Sequence, residues 1–291
     1  MNVSIGESGD QGAAAGSGSM SETGSGAPRC RVLPFQGACN FRDIGGYVAQ
    51  DGRTVRWGRV YRTGVLSYLG EDDRDALRSL RIRAICDLRR GGERRREPTR
   101  WPEEGDLPRK LHWQDGAEAP AIRDFAVGRP PTAAGMFDAM IDMYRALPAW
   151  MGSRIGGLFE CIANDHVPLI VHCAAGKDRT GIAVAVLLHT LGIPWETIIE
   201  DYLLTNLAGN FETFMRTRRD IQLGLTDSEH PLLAMPVAMR RVLFSAEAAF
   251  LQAAKDEIDL RYGGLDAYLE RAAGITPTLR ERMRQTLLEP L

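Results

Sequence analysis

The stretch VPLIVHCAAGKDRTGIAVAVLLHTLGIP, residues 167–194, decides the fold. Its first part, VPLIVH, is a short continuous apolar run, which is typical of a strand buried on both faces of a parallel sheet. RTGIAVAVLLHTL has the length of a helix and is followed by Gly192 and Pro194, which are typical of a helix end. The residues CAAGKD between them therefore form a short loop that leads from a buried strand into a helix.

This loop is placed and composed to bind an anion. It leaves the carboxyl end of its strand, where open α/β sheets bind ligands. Its backbone N–H groups and the positive end of the helix dipole both favour negative charge, and Gly176 lets the backbone turn close to a ligand. The nucleotide-binding pattern GxxxxGK[ST] does not fit, because Val171 and Asp178 occupy two of its required positions. The residues predicted to bind a phosphate group are Ala174, Ala175, Gly176, Lys177, Asp178, Arg179 and Thr180.

Cys173 and Arg179 have the chemistry of covalent phosphoryl transfer. A helix N-terminus and a nearby arginine favour the thiolate form of a cysteine, and a thiolate can attack phosphorus. Arg179 stands six positions later at the start of the helix, where its guanidinium can bind two phosphate oxygens. Thr180 can donate to the sulfur and stabilise it as a leaving group. An inert buried cysteine is the ordinary alternative, but the surrounding His, Gly and Arg-Thr-Gly favour catalysis.

The proton donor for the leaving group stays open at this point. A phenol has a pKa of about 10 and an alcohol a higher one, so the expulsion of either near neutral pH requires a general acid. Asp178, inside the loop, is one candidate. Asp87 follows the strand pattern IRAICDL and is expected at the same sheet edge, where it could instead hold an arginine in place. Asp115 follows the possible strand RKLHW, and Glu103 in RWPEE imitates an acid loop but lies far upstream.

The remaining chain alternates predicted strands and helices. EDDRDALRSL and AAGMFDAMIDMYRALP have apolar residues at helical spacing, and Pro148 is expected to end the second of these helices. SRIGGLFECIAND predicts a weaker helix, RRGGERRREPTRWPEEGD predicts a charged loop, and the chain after Glu196 predicts helices with breaks at LGLTDSEHP and YGGLD. This alternation predicts an α/β fold with a mostly parallel central sheet flanked by helices and a helical C-terminal cap.

Composition narrows the class of protein. A net charge of −2 over 291 residues argues against a nucleic-acid-binding protein. The five cysteines are scattered without a Cys-x-x-Cys pair, so structural zinc is not expected, and free thiols in a reducing, cytoplasmic compartment are. No apolar run is long enough to span a bilayer, and the N-terminus lacks the pattern of a signal peptide. Residues 1–28 are rich in Gly, Ser and Ala and predict a flexible tail.

Several motifs resemble one family. HCAAGKDRTG, together with NFRDIGGY at 40–47, YRTG at 61–64 and CDLR at 86–89, resembles the atypical microbial tyrosine and phosphoinositide phosphatases. DYLLTN at 201–206 and YGGLDAYLERAAGIT at 262–276 are similar to that family as well. The resemblance therefore covers the folded part of the chain, from about residue 31 to 291.

The resemblance implies a single phosphatase domain over residues 29–291 with the tyrosine-phosphatase fold, no metal and no cofactor. It implies activity on phosphotyrosine, sometimes on phosphoserine and phosphothreonine, and in several members on phosphoinositides. Lys177 matches a basic residue that the family directs toward its substrate, and Asp178 matches a position implicated in catalysis. Helices at about 200–262 match a lid over the site. A phosphate-binding protein without activity is the alternative, which the intact Cys173 and Arg179 disfavour.

Other residues carry expectations of support. His172 is expected to orient the loop by hydrogen bonding, and Asn40, Arg42 and Asp43 are expected to brace it. The arginines of the charged loop could attract acidic or phosphorylated substrates, although a charge run is usually a solvated surface. These arginines are Arg89, Arg90, Arg94, Arg95 and Arg96.

Overall fold

A computed structural model describes residues 30–101, 108–113, 119–216, 232 and 234–291. The chain divides into a segment of residues 1–30 and a unit of residues 31–291. The tail predicted over residues 1–28 lies outside the described residues, as does the break LGLTDSEHP. None of the helices in the described ranges combines the length and the apolar character needed to cross a bilayer.

The strands of the described residues form two sheets. They are β1 (Arg42–Asp43), β2 (Arg53–Val55), β3 (Val60–Thr63), β4 (Ala84–Asp87), β5 (Arg109–Leu111), β6 (Leu169–His172) and β7 (Leu288–Pro290). The central sheet has the order β1-β3-β6-β4-β5, in which β1 is antiparallel to β3 and the other pairs are parallel. The prediction of a mostly parallel sheet flanked by helices is confirmed.

The helices of the described residues follow the alternation that the sequence predicts. They are α1 (Glu71–Ser79), α2 (Gly91–Arg96), α3 (Ile122–Ala126), α4 (Ala133–Ala163), α5 (Asp178–Thr190), α6 (Trp195–Leu203), α7 (Thr205–Ala208), α8 (Val237–Phe244), α9 (Ala248–Tyr262), α10 (Leu265–Arg271) and α11 (Pro277–Leu287). The break at YGGLD is confirmed, since α9 ends at the left-handed Gly263.

Alternate residues of β6 enter two different cores. Leu169 and Val171 pack into the larger core with α4 and α5. Ile170 packs into a second core that contains Leu77 of α1 and Ile85 of β4. Successive side chains of a strand point to opposite faces, so a strand covered on both sides needs an unbroken apolar sequence. The interpretation of VPLIVH as a doubly buried strand is confirmed.

The prediction that Pro148 ends its helix is wrong. α4 runs through Pro148 and joins the two segments that the sequence predicts as separate helices. A proline inside a helix costs about 3 kcal/mol, but α4 buries apolar side chains on both sides of it, and each contributes about 1.5–3 kcal/mol. The Pro148 carbonyl also accepts a hydrogen bond from the Tyr268 hydroxyl at 2.8 Å. Tertiary packing therefore outweighs the local penalty.

Two shorter elements also depart from the prediction. The charged loop contains α2, because Glu93 bonds back to the Arg90 backbone N–H at 2.9 Å and caps the helix, and arginines complement its last turn. The chain is not helical to its end, because β7 pairs antiparallel with β2 and buries Leu288.

Three parallel strands bring their carboxyl ends to one edge. Thr63 of β3 and Asp87 of β4 both lie opposite His172 of β6 in the register of the sheet. The loop that follows His172 therefore begins between the ends of two neighbouring strands, and residues after each strand are within reach of it.

Candidate active site

The loop of residues 173–177 joins β6 to α5 and has the backbone of an anion site. Cys173 directly follows β6 and is 1% exposed. Within the described residues, no acceptor bonds the backbone N–H groups of Ala174, Ala175, Gly176 or Lys177. These N–H groups and the N-terminus of α5 together provide donors and positive potential for a phosphate group.

Gly176 fixes the shape of the loop. Its φ of +67° is left-handed, and a Cβ at this position would lie 2.4 Å from the Thr63 carbonyl carbon. Its carbonyl accepts hydrogen bonds from Asn40 Nδ2 at 2.8 Å and from Arg62 Nη2 at 3.1 Å. Only glycine fits here without displacing the strand backbone, and the two donors hold the loop against β1 and β3.

Asp201 binds two buried arginines, and one of them, Arg62, also binds the loop. Its Oδ2 accepts from Arg62 Nη1 at 2.6 Å, and its carbonyl accepts from Arg42 Nη2 at 2.9 Å. All three residues are buried. Burial alone would raise the pKa of the Asp201 carboxyl, but Arg42 and Arg62 outweigh it and lower that pKa. The side chains are therefore charged and paired beneath the loop.

Asn40, Arg42 and Asp43, which the sequence predicts to brace the loop, make different contacts. Asn40 reaches the loop directly, whereas Arg42 acts through Asp201 and through the Asn40 side chain, to which it donates. The Asp43 carboxylate binds backbone N–H groups of residues 45 and 58 at 2.7 and 2.6 Å. Sequence reasoning missed Arg62 and Asp201, although both lie within motifs, YRTG and DYLLTN, that it had noted.

Arg179 is paired with Glu93 of α2. Its Nη1 and Nη2 donate to the two Glu93 carboxylate oxygens at 2.7 and 2.8 Å, and Nη1 also donates to the Leu88 carbonyl at 3.4 Å. A guanidinium has five N–H donors in a fixed fork. Two of them, Nε–H and the outer Nη2–H, have no acceptor among the described residues and lie on one edge of the group. This edge has the geometry to bind two oxygens of a phosphate.

Charge stabilises this pair strongly. Burial alone would raise the pKa of the Glu93 carboxyl, but Arg179 outweighs it and holds that pKa well below its usual range. Burial alone would lower the pKa of Arg179, but Glu93 outweighs this effect and raises that pKa. Sequence reasoning missed Glu93 because it assigned the whole segment to a charged loop, where no helix would direct one carboxylate toward the site.

Asp87 is engaged with a different arginine. Its carboxylate accepts from Arg89 Nε at 2.9 Å and Nη2 at 2.7 Å, and it lies 3.6 Å from His172 Nε2. Burial would raise the pKa of Asp87, but His172 and Arg89 outweigh it and lower that pKa to about 2. Burial lowers the pKa of His172. The Asp87 carboxylate is thus ionised at neutral pH and holds an arginine.

Asp178 begins α5 and lines the cavity above the loop. Its Oδ1 accepts a hydrogen bond from the Tyr144 hydroxyl at 2.8 Å and lies 3.4 Å from Lys177 Nζ. The other two candidate acids, Asp115 and Glu103, lie outside the described residues.

Lys177 is buried and contacts the C-terminal helices. Its Nζ donates to the carbonyls of Leu243 at 2.5 Å and Ser245 at 2.9 Å, at the end of α8. A cation there also complements the helix dipole. In this arrangement the ammonium joins the 173–177 loop to the 237–245 segment and does not extend into solvent.

Thr180 presents an unpaired hydroxyl. Its Oγ1 is buried and has no hydrogen-bond partner among the described residues, so the expected bond to the Cys173 sulfur is not formed in this structure. A buried hydroxyl without a partner is costly, and such groups are concentrated at functional sites.

A cavity of about 650 Å³ opens above the loop and is lined by Ala174, Ala175, Asp178 and Arg179. Its walls are mainly apolar; they include Met140, Met143, Phe211, Phe214, Leu243 and Phe244. Phe211 and Phe214 also pack in one cluster with Ala174 and Ala175. The chain that follows α7 thus covers part of the loop.

The arginines of the charged loop divide into two groups. Arg89 is 2% exposed and committed to Asp87, so the expectation that it attracts substrates from the surface is wrong. Arg90 and Arg96 line the cavity. Arg90 bonds to Glu93, whereas Arg96 is exposed and has no hydrogen-bond or ion-pair partner among the described residues.

Within the described residues, no group of three His, Cys, Asp or Glu residues could hold a metal ion.

A mostly parallel sheet, whose central strand leads through a loop with a cysteine into a helix that begins with an arginine in its first turn, is consistent with a tyrosine-phosphatase-like fold. Comparison with known proteins agrees: the model of the tyrosine phosphatase family matches residues 33–289. The chain belongs to this family and is a phosphatase.

Relatives with curated names are similar over most of the chain. The triple specificity protein phosphatase PtpB of Mycobacterium tuberculosis is 33% identical over 284 residues, which cover 89% of this chain and 99% of that protein. A Cupriavidus necator protein, provisionally named a tyrosine-protein phosphatase, is 31% identical over 82% of this chain and 83% of its own. A tyrosine-protein phosphatase of Nostoc commune is 28% identical over 50% of this chain and 47% of its own length.

Proposed function

We propose that the protein hydrolyses phosphotyrosine in proteins, and phosphoserine and phosphothreonine as further substrates, through a phosphocysteine at Cys173. The observation that carries this proposal is the loop itself: Cys173 and the free edge of the Arg179 guanidinium flank four backbone N–H groups that have no acceptor among the described residues. The relatives named for tyrosine and triple-specificity phosphatases support the same substrate class.

In the first step the Cys173 thiolate attacks phosphorus. A sulfur–phosphorus bond forms while the bond from phosphorus to the tyrosine oxygen breaks. The remaining donors of Arg179 and the loop N–H groups bind the equatorial oxygens, on which negative charge spreads in the transition state. Asp178 gives its proton to the leaving oxygen, so that the product departs as a neutral phenol.

In the second step a water molecule attacks the phosphocysteine. The Asp178 carboxylate accepts a proton from this water, and the bond between sulfur and phosphorus breaks. Inorganic phosphate and the Cys173 thiolate are the products. The unpaired Thr180 hydroxyl is buried within the first turn of α5 and is available to donate to the departing sulfur.

Asp178 is proposed as the acid in preference to Asp87. Asp178 lines the cavity, whereas the Asp87 carboxylate is held by Arg89 and has a pKa of about 2. A carboxyl group that stays ionised at neutral pH cannot supply the proton, so we assign Asp87 a positioning role through Arg89 and His172. Asp178→Asn should reduce kcat for phenyl phosphate by about 100-fold or more. Near-normal turnover by this variant would contradict the assignment.

The cavity walls favour an aromatic phosphate ester. Phe211, Phe214 and Phe244 provide rings on which a phosphotyrosine side chain can stack, and aromatic pairs contribute about 0.5–1.5 kcal/mol beyond area burial. The test is kcat/KM for phosphotyrosyl, phosphoseryl and phosphothreonyl peptides of one sequence. We expect the phosphotyrosyl peptide to react fastest, and equal rates for all three would contradict an aromatic selection. Turnover of p-nitrophenyl phosphate separates an enzyme from a protein that only binds phosphate.

A second candidate substrate carries another negative group, as phosphoinositides do. Arg96 supports it, since this exposed side chain lines the cavity without a partner in the described part of the chain. Arg96→Ala should raise KM for a phosphoinositide with two phosphates and leave p-nitrophenyl phosphate unaffected. Arg95→Ala is the matched control, because Arg95 is exposed on the same helix but does not line the cavity. Equal effects of both variants would contradict a specific role of Arg96.

We also propose that the described residues within 200–262 form a lid. Lys177 bonds the end of α8, and Asn206 bonds Ala246 through both its amide nitrogen at 2.8 Å and its amide oxygen at 2.7 Å. The Lys177 bonds join the segment to the loop, and the Asn206 bonds join two parts of the segment to each other. Aromatic side chains of the segment line the cavity. Bound orthovanadate should slow amide hydrogen exchange in α8. Unchanged exchange would contradict a lid that responds to the site.

A further inference from the structure

Two buried tyrosines form a hydrogen-bonded chain that ends on Asp178. The Tyr144 hydroxyl lies 2.8 Å from Asp178 Oδ1 and 2.6 Å from the Tyr202 hydroxyl. The two tyrosines are 0% and 1% exposed, on helices α4 and α6, while Asp178 faces the cavity. The chain therefore runs from the core of the protein to the carboxylate that we propose as the acid.

The direction of this chain follows from the number of protons. A carboxyl oxygen that carries no proton can only accept hydrogen bonds, and each phenol has one proton to give. Tyr144 donates its only hydroxyl proton to Asp178, so in the bond between the two tyrosines Tyr202 must be the donor. Burial and the neighbouring Asp178 raise the pKa of both tyrosines above the ordinary value, so both phenols keep their protons at neutral pH. They act as fixed donors and do not exchange protons with substrate.

The two oxygens of Asp178 consequently differ. Oδ1 accepts from Tyr144 and lies 3.4 Å from the Lys177 ammonium. In the described part of the chain, no donor bonds Oδ2. If Oδ1 carried the acidic proton, it would have to donate to Tyr144, and the order of both hydrogen bonds in the chain would reverse. Oδ2 can carry that proton without changing either bond.

We propose that Tyr144 and Tyr202 are positioning residues that fix Asp178 Oδ1, so that the catalytic proton resides on Oδ2 and is delivered to the leaving oxygen from there. This inference rests on the proposed role of Asp178 as the general acid. It assigns a functional reason to a pair of buried hydroxyls that the core could otherwise replace with apolar groups. Neither tyrosine touches the substrate in this proposal, and each acts through Asp178.

The test is the dependence of kcat on the leaving group across a series of aryl phosphates. A well-placed acid makes the rate nearly independent of the pKa of the leaving phenol, and a misplaced acid makes it steep. Tyr144→Phe should reduce kcat for phenyl phosphate by about tenfold and should change the rate for a strongly electron-poor ester by less than about twofold. Tyr202→Phe should act in the same direction with a smaller effect.

Tyr268→Phe is the matched control. Tyr268 is also fully buried and its hydroxyl also bonds α4, at the Pro148 carbonyl, but it does not reach Asp178. This variant should keep the wild-type leaving-group dependence. If Tyr144→Phe fails to fold, Tyr202→Phe still removes the donor to an intact Tyr144 and tests the same chain.

Asp178→Asn separates the two proposals. In one outcome, kcat depends steeply on the leaving group in Asp178→Asn, but both tyrosine variants keep the wild-type dependence. This result would overturn the positioning role and leave the acid assignment standing. An unchanged dependence in Asp178→Asn would overturn the acid assignment, and with it this inference. A graded series, steepest for Asp178→Asn and shallowest for wild type and Tyr268→Phe, is the result we expect.

Discussion

Replacing Glu93 by Gln tests how Arg179 is held. The native pair contains two charge-assisted hydrogen bonds, at 2.7 and 2.8 Å, between side chains that are 14% and 12% exposed. Glutamine offers one acceptor oxygen, and its amide N–H groups oppose those of the guanidinium. One bond is therefore lost and the other loses its ionic character. At about 1.5–3 kcal/mol for a hydrogen bond to a charged group, the expected loss is about 2–3 kcal/mol.

This loss should appear in catalysis, because Arg179 is the side chain that we propose to bind the transferring phosphate. Since 1.36 kcal/mol is a factor of ten in rate, Glu93→Gln should lower kcat/KM for p-nitrophenyl phosphate by about 30- to 150-fold. Glu257→Gln is the matched control: Glu257 also pairs with an arginine, but this arginine, Arg261, is 59% exposed, whereas Arg179 is 14% exposed. It should leave activity unchanged and alter the free energy of unfolding by at most about 1 kcal/mol. Activity of Glu93→Gln within twofold of wild type would refute the reasoning.

The same pair has a defined pH dependence. The pKa of Glu93 in the folded protein lies below its value of about 4.3 in the unfolded chain. Its stabilising contribution is therefore complete above that value and is lost as the pH falls further. Urea unfolding should show a constant difference in stability between wild type and Glu93→Gln from pH 6 to 9. This difference should narrow only in the acid range, below about pH 4.

Two further substitutions test the support beneath the loop. Asp201→Asn should lower the free energy of unfolding by about 3–5 kcal/mol, because buried Arg42 and Arg62 lose their counter-charge. Urea unfolding measures this, and a variant as stable as the wild type would contradict it. Gly176→Ala should lower kcat/KM by about 100-fold, because alanine disfavours the left-handed φ of this position and its Cβ would lie 2.4 Å from the Thr63 backbone. Gly52→Ala is the control, because Gly52 has a φ of +82° but nothing within 4 Å of an added Cβ, so activity should not change. Equal losses of kcat/KM in both variants would show that the contact with Thr63 is irrelevant.

The sequence predicts the centre of the fold because local and tertiary preferences agree there. The apolar run before Cys173 has no polar face, so it fits only a strand covered on both sides, and β6 packs into both cores. The helix after Arg179 carries its own stop at Gly192. Where preferences conflict, the prediction fails: Pro148 disfavours a helix locally, but the packing of α4 decides the outcome.

The support of the site could not be predicted because it depends on long-range pairs. Arg62 and Asp201 are 139 positions apart, and Arg179 and Glu93 are 86 apart. A motif indicates that a residue matters but not which distant side chain it meets. The sequence predicts Tyr144 only as an apolar position of a helix, because helical spacing says nothing about what its hydroxyl contacts. The chemistry-bearing loop was visible because its residues are contiguous.

The central claim is that Cys173 becomes phosphorylated during turnover. Rapid acid quenching of the enzyme with a radiolabelled phosphotyrosyl peptide, followed by proteolysis and mass spectrometry, measures this directly. We expect one phosphoryl group on the peptide that contains Cys173 in the wild type. With p-nitrophenyl phosphate, whose leaving group departs without an acid, Asp178→Asn should slow only the second step, so the phosphocysteine should accumulate. Cys173→Ser should bind the substrate without turning it over. Turnover by Cys173→Ser, or a phosphoryl group on another residue, would contradict the mechanism.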